Sequence, residues 1–220
     1  MKLILGDCLE KTKDIKSKSI NMILTDPPYG MNFKSNYRRR KYENIKNDDN
    51  LDWLDEYAKQ CFRIALNNTA HYVFCSFHNI DIFKQSFQKY FKVKNILVWE
   101  KDNTGMGDLK SDFAPKTEFI LFLQKGTKEI NGSRDPNIMK FARTGNKNHP
   151  TEKPVKLCSY LIRKFSNEGD VIFDGFMGSG TTGVSCKLER RGFIGIEVNE
   201  KYFEITKKRI EKTSAGFDFK

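Results

Sequence analysis

Apolar positions along the chain fall into two rhythms. Short, nearly unbroken runs read as strands buried on both faces, because each is apolar and bounded by Gly, Pro or polar residues. They are Lys2 to Leu5, Asn21 to Thr25, His71 to Cys75, Lys94 to Glu100, Glu118 to Leu123, Asp170 to Asp174 and Phe193 to Glu197. Between them the apolar residues recur at helical spacing, predicting helices over Cys8 to about Ile15, Asp52 to Leu66, Ile80 to Tyr90, Val155 to Phe165, Ser179 to Arg190 and Glu200 to Lys212. In the second of these, Trp53, Leu54, Tyr57, Ala58, Cys61, Phe62 and Ala65 form one core-facing stripe. A strand, helix and strand within the first thirty residues, then continued alternation, predict an α/β fold with a doubly wound, mostly parallel sheet.

Two segments break the rhythm. Met31 to Asn50 is polar, with Tyr37-Arg38-Arg39-Arg40-Lys41-Tyr42 at its centre, and Gly126 to Asn148 is punctuated by Gly132, Pro136 and Gly145. The tail from Thr213 carries no pattern, and there are no internal repeats. At 220 residues the chain is one domain's worth, so residues 1–220 are expected to form a single domain, with a basic loop at 31–50 and an insert at 124–148.

Charge adds a partner class. The 39 basic and 28 acidic residues leave a net charge of +11, which points toward a polyanion. The five cysteines are scattered without a CxxC pair, so they read as reduced core residues. Neither they nor the dispersed His71, His78 and His149 suggest a metal site. Met1 to Glu10 lacks a signal-peptide pattern, and no apolar run approaches membrane-spanning length. The expectation is a soluble, cytoplasmic protein.

The chemistry gathers at Thr25-Asp26-Pro27-Pro28-Tyr29-Gly30. The prolines stop the preceding strand and leave Asp26 at its C-terminal end, where open α/β sheets place ligands. The Asp26 carboxylate and a neighbouring backbone carbonyl make a rigid acceptor pair for a planar amine, with Tyr29 available to stack on it. A second cluster, Val171 to Gly183, runs from a strand into Gly175-Phe176-Met177-Gly178-Ser179-Gly180-Thr181-Thr182-Gly183 and opens a helix. That is the context in which a glycine turn binds a nucleotide. The next strand ends at Glu197, where an acid can bond ribose hydroxyls. Phosphate-loop chemistry is excluded because the turn has no lysine; the pattern alone does not separate the remaining nucleotide cofactors.

Asp26-Pro27-Pro28-Tyr29, the turn at Phe176 to Thr182, and His149-Pro150-Thr151-Glu152-Lys153-Pro154 together resemble the S-adenosylmethionine-dependent amino-group DNA methyltransferases. Their order, catalytic motif first and cofactor turn late, is similar to that family's circularly arranged β class, over about Gly6 to Arg209. The resemblance implies a Rossmann-like methyltransferase fold and assigns catalysis to Asp26, Pro27 and Tyr29. It implies that Asp174, Phe176, Gly178, Gly180 and Thr181 surround the cofactor, and that Glu197 holds its ribose hydroxyls. Asp7 would meet the adenine amino group, and Thr151 and Lys153 the methionine carboxylate. One departure is Gly175, where the family usually has proline, and it should loosen the turn.

The implied partner is double-stranded DNA. Arg38, Arg39, Arg40 and Lys41 suit phosphate contacts, and Lys125, Lys128, Arg134, Lys140, Arg143 and Lys147 lie in the insert expected to recognise the target. A cognate restriction endonuclease and a homodimer are arrangements that relatives have and that the sequence leaves open. Asp before Pro-Pro-Tyr is similar to the adenine-N6 members; the alternatives are cytosine-N4 methylation and a basic nucleic-acid-binding module without turnover. Methylation of protein glutamine or RNA usually goes with Asn before Pro-Pro-Tyr.

Overall fold

The computed structural model describes residues 1–31, 50–105, 110–145 and 151–214. In chain order the elements are β1 (Lys2–Leu5), α1 (Cys8–Lys13), β2 (Met22–Thr25), α2 (Leu54–Ile64), β3 (Thr69–Cys75), α3 (Ile80–Gln88), β4 (Lys92–Glu100), β5 (Thr117–Lys125), β6 (Ile138–Lys140), α4 (Val155–Phe165), β7 (Val171–Asp174), α5 (Thr181–Leu188), β8 (Gly192–Glu197) and α6 (Glu200–Lys212). The strands form one sheet in the order β1-β8-β7-β2-β3-β5-β4-β6. Among the described residues only β5 runs against its neighbours β3 and β4; the other pairings are parallel.

Strand alternation divides the core into two layers. Ile23, Val73, Cys75 and Phe173 turn toward α1, α2 and α3, where they pack with Tyr57, Cys61, Phe83 and Phe87. Their neighbours Met22, Leu24, Tyr72, Phe74 and Ile172 turn toward α4, α5 and α6, against Leu157, Leu161, Cys186 and Ile210. With helices on both faces, β2 and β3 are buried along their whole length, which is why they read as continuous apolar runs. All five cysteines are buried in these layers.

Several element boundaries differ from expectation for local reasons. Ala65 is extended and bridges Ile20, ending α2 at Ile64. Gly180 (φ +84°) and Arg190 (φ +58°) are left-handed and confine α5 to Thr181–Leu188. α1 ends at Lys13, with Asp14 donating its N–H back to Lys11 and Thr12, and α3 ends at Gln88. The expected insert 124–148 is not wholly irregular: Gln124 and Lys125 belong to β5, and β6 adds a parallel edge strand. β6 has only three residues with Met139 alone buried, too short for a period-two signal.

β7 leads through α5 to β8 on one side, and β2 leads through α2 to β3 on the other. The direction of winding therefore switches between β7 and β2, and this is where doubly wound sheets open a ligand crevice.

Candidate active site

A cavity of about 170 Å³ lies at that switch point, larger than a water's share of liquid volume of roughly 30 Å³. Its lining joins Asp26, Pro27, Pro28 and Tyr29 to Thr151, Glu152 and Lys153 and to Asp174, Phe176, Met177, Gly178 and Thr181, with Glu197 and Tyr202 beyond. Residues 26 and 178 thus converge on one pocket. β8 and β2 flank β7, so their ends lie about 10 Å apart at the usual inter-strand spacing.

On the β2 side the groups are ionic. Lys153 donates to Asp26 Oδ2 at 2.6 Å, and the Tyr29 hydroxyl donates to Asp26 Oδ1 at 2.6 Å. The Lys153 ammonium also lies 3.1 Å from Glu118 Oε2, while Lys101 sits 2.8 Å from Glu118 Oε1. The Tyr29 carbonyl accepts from the Asn79 side chain, and its ring meets Phe83 edge-on. Burial pushes the Asp26 carboxyl up, Lys153 counters, and Glu118's charge adds to the rise. Burial would lower Lys153, but Asp26 and Glu118 outweigh it and hold the ammonium protonated. Burial likewise acts to raise Glu118, and Lys153 and Lys101 together bring it below its ordinary value.

On the β7–β8 side the contacts are backbone to side chain. The Gly178 N–H donates to Glu197 Oε2 at 2.9 Å and the Asn199 N–H to Oε1 at 2.8 Å, so both carboxylate oxygens are aimed by the turns they hold. Thr206 donates to the Gly178 carbonyl at 2.7 Å. Arg209 donates to the Ser179 carbonyl and hydroxyl, at 2.6 and 2.9 Å, and pairs with Glu152 at 2.8 Å. The Thr151–Lys153 segment is thereby tied to the glycine turn. Asp174 joins the two sides: Thr25 donates to its Oδ1 at 2.9 Å, and Tyr57 donates to Thr25 at 3.1 Å. Burial pushes Asp174 up to about 7, despite hydrogen bonds from Thr182, the Phe176 N–H and Thr25.

Not every residue singled out in the sequence reaches the cavity. Asp7 lies two residues past the end of β1; its Oδ1 caps α1, accepting from the Leu9 and Glu10 N–H groups, and it is not in the lining. Gly180 is also outside the lining: a Cβ there would lie 2.5 Å from Thr206 Cγ2, so its lack of a side chain serves the packing of α6. The Lys153 ammonium faces Asp26 and Glu118. Gly175 is enclosed, since a Cβ would lie 2.6 Å from Cys8 Sγ and 2.7 Å from Tyr57 Oη. Its departure from proline is matched by neighbours that fill the space a side chain would take.

Arg134 and Lys140 are exposed, Lys140 lies 3.4 Å from Glu100, and Arg143 donates its backbone N–H to Asp102; none of the three lines the cavity. Lys125 is buried, donating to the Phe62 and Ala65 carbonyls at the end of α2, so it caps a helix and does not belong to a DNA-facing set. Arg38, Arg39, Arg40 and Lys41 lie outside the described residues. Glu118 and Arg209 carry no motif of their own, and only the end of an apolar run beside an acidic residue hinted at the first. Among the described residues no helix is long and apolar enough to cross a membrane.

The cleft suits S-adenosylmethionine in the chemistry of its donor set. An acid with both oxygens aimed, Glu197, stands at one strand end; Phe176, Met177 and Tyr202 supply apolar and aromatic walls; Thr151 and the α5 N-terminus offer polar groups. The fold and site together define a Rossmann-like α/β enzyme in which a nucleotide-type cofactor turn and a buried carboxylate share one cleft. A family model described as DNA methylase matches residues 20–208. The DNA adenine methyltransferase YhdJ of Escherichia coli K12 is 30% identical over 96% of this chain and 83% of its own length. The type II methyltransferase M.HpaI of Haemophilus parainfluenzae is 29% identical over 99% and 76%. Among solved structures, the complex of M1.HpyAVI with S-adenosylmethionine is 28% identical, with a TM-score of 0.73 over 95% of this chain and 98% of that one. The cytosine-N4-specific PvuII DNA methyltransferase, at 20% identity, shares the fold, with a TM-score of 0.77 over 94% and 85%.

The chain belongs to the amino-group (N6/N4) DNA methylase family. It is a DNA methyltransferase that uses S-adenosylmethionine, on a mostly parallel α/β sheet of the type found in those structures.

Proposed function

We propose that the chain methylates the N6 amino group of adenine in duplex DNA, with Asp26 as the acceptor for the amine. The observation that carries the reading is the placement of Asp26, within Asp26-Pro27-Pro28-Tyr29, in one cavity with the Gly178 turn and Glu197. The resemblance of that motif to adenine-specific members and the similarity to an adenine methyltransferase of E. coli support adenine over cytosine.

S-adenosylmethionine supplies a methyl group activated by its sulfonium. Glu197 would hold the ribose hydroxyls, Phe176 and Met177 would wall the cofactor, and Gly178 would bring backbone close to it. Thr151 and the α5 N-terminus at Thr181 take its carboxylate, while Asp174 braces the turn through the Phe176 N–H. Lys153, already engaged by Asp26, acts on the acceptor side.

An exocyclic amine is a poor nucleophile because its lone pair is delocalised into the ring. By accepting its two N–H bonds, Asp26 and the Pro27 carbonyl would favour a pyramidal nitrogen with a localised lone pair, able to accept the methyl group that the cofactor would supply. Catalysis is then positioning and charge placement. The raised affinity of Asp26 for protons suits it to take the proton released afterwards. In a duplex the base must leave the stack to reach this depth, and Tyr29 provides the ring on which it rests. Arg38 to Lys41, Arg134, Lys140 and Arg143 carry the backbone contacts expected of a basic chain.

The test is to methylate unmodified duplex DNA with the purified protein, digest it to nucleosides and identify the product by mass spectrometry. N6-methyladenine is expected. N4-methylcytosine would move the assignment to the other amino-group base, and unmodified DNA would contradict the role of Asp26.

A further inference from the structure

Glu118 stands at the start of β5 outside the lining of the cavity, and it reaches the reacting groups only through Lys153. We propose that Glu118 is a positioning residue for methyl transfer, anchoring the Lys153 ammonium so that Asp26 is held in one orientation while keeping acceptor capacity for the amine. The inference rests on the role proposed above for Asp26.

The geometry is a chain of four charges. Lys101 lies 2.8 Å from one Glu118 oxygen, the other Glu118 oxygen is 3.1 Å from Lys153 Nζ, and that ammonium donates to Asp26 at 2.6 Å. Two cations and two carboxylates cancel, which allows the set to sit in a poorly solvated place. The rings of Tyr29 and Phe74, with centroids 5.7 and 5.1 Å from Lys153 Nζ, wall the ammonium.

An ammonium has three donors and a carboxylate roughly four acceptor sites. Lys153 donates to Asp26 at 2.6 Å and to the Tyr29 hydroxyl at 3.4 Å; with Asp26 as its sole counter-charge it would be drawn further onto the oxygens the amine must use. Glu118, 3.1 Å from the ammonium in an ion pair that completes no hydrogen bond, adds a second carboxylate charge that pulls on Lys153. Asp26 then accepts one bond from Lys153 and one from Tyr29, leaving about half its acceptor sites for the amine.

Charge removal at Glu118 should also leave a signature that a packing role would not. The groups facing Asp26 are Tyr29 on its own loop, Lys153 ahead of α4, Cys158 on α4, Cys75 on β3, Glu118 on β5 and Asp174 on β7. Glu118's charge pushes the Asp26 carboxyl up, so neutralising it lets the carboxyl fall.

The experiment compares wild type, Glu118→Gln and Glu118→Asp in the full-length protein. It measures S-adenosylmethionine affinity by calorimetry, single-turnover transfer to duplex DNA across pH, and the thermal midpoint. For Glu118→Gln the expected result is cofactor affinity within threefold of wild type and transfer about 10- to 100-fold slower, the usual cost of losing a partner that orients a reacting group. The acidic limb of its pH profile should move to lower pH, and Glu118→Asp should return that limb toward wild type. Transfer at the wild-type rate with an unmoved limb would overturn the inference. So would a slower rate with an unmoved limb and a lowered thermal midpoint, which would mark a purely structural role. A wild-type protein that transfers no methyl group to DNA would overturn the reading of Asp26, and the inference with it.

Discussion

The β7–β8 wall of the cleft is built from contacts that stay close in sequence, with Glu197 accepting from the Gly178 N–H across 19 residues and Thr206 bonding the Gly178 carbonyl across 28. The opposite wall joins Lys153 to Asp26 across 127 residues, through ammonium and carboxylate groups drawn from different layers of the fold. Backbone N–H groups fixed by a turn present a preformed surface, whereas paired side chains hold their geometry only while every partner is present. Damage to the first wall should therefore show in cofactor binding, and damage to the second in transfer.

The largest effect expected from that division is on Asp26→Ala. Transfer to DNA should fall by about 10³-fold, as when a preorganised group facing the reacting centre is lost, while calorimetry still detects S-adenosylmethionine binding. Equal loss of both would erase the distinction between the walls. Glu197→Gln should give the mirror image. Weakening charge-assisted bonds costs about 1.5–3 kcal/mol, roughly a 10- to 100-fold loss of cofactor affinity, with the rate at saturating cofactor little changed.

A smaller effect, dependent on pH, is expected beneath the Asp26 wall. His71 in β3 accepts the Ile23 N–H of β2 at Nδ1, at 3.1 Å. Thr69 donates to the Leu66 carbonyl, so its hydroxyl oxygen accepts from the His71 Nε2–H, and the ring is neutral. Burial lowers its pKa to about 3, whereas an unfolded chain's histidine titrates near pH 6.5. Between those values the unfolded state binds the extra proton, so stability is full above about pH 6.5 and declines as pH falls, by about 2 kcal/mol at pH 5. Asp174, raised to about 7, acts in the opposite sense over part of this range. The readout is therefore the difference in denaturant unfolding between wild type and His71→Gln, which should shrink as the buffer is acidified from pH 7 to pH 5. A difference that stays constant would contradict the neutral buried ring.

The contrast between the walls also explains what could be read from the chain. Asp26, the glycine turn and Glu197 are legible because strand ends, prolines and glycines act locally, and the doubly wound sheet follows from the order of apolar runs and helical stripes. The partners of Lys153 are not legible: nothing near position 153 or 118 reports that the fold will bring them together, and a lysine after a turn is equally suited to a ligand or to a carboxylate of its own chain. Gly180 and Gly175 show the same limit at shorter range, since a glycine that yields to Thr206 or Tyr57 reads in sequence like one that yields to a ligand. Lys125 counted as one more basic residue until the strand carried it to the end of α2. Asp7 follows the first strand as expected, but the helix that comes next claims its side chain.

A crystal structure with S-adenosylmethionine bound would show whether the two walls serve one reaction. The ribose is expected at Glu197 and the sulfonium methyl facing Asp26 at roughly 5 Å, far enough for an amine nitrogen to sit about 3 Å from each. A cofactor lying outside this cleft, or bound with its methyl turned away from Asp26, would contradict that arrangement.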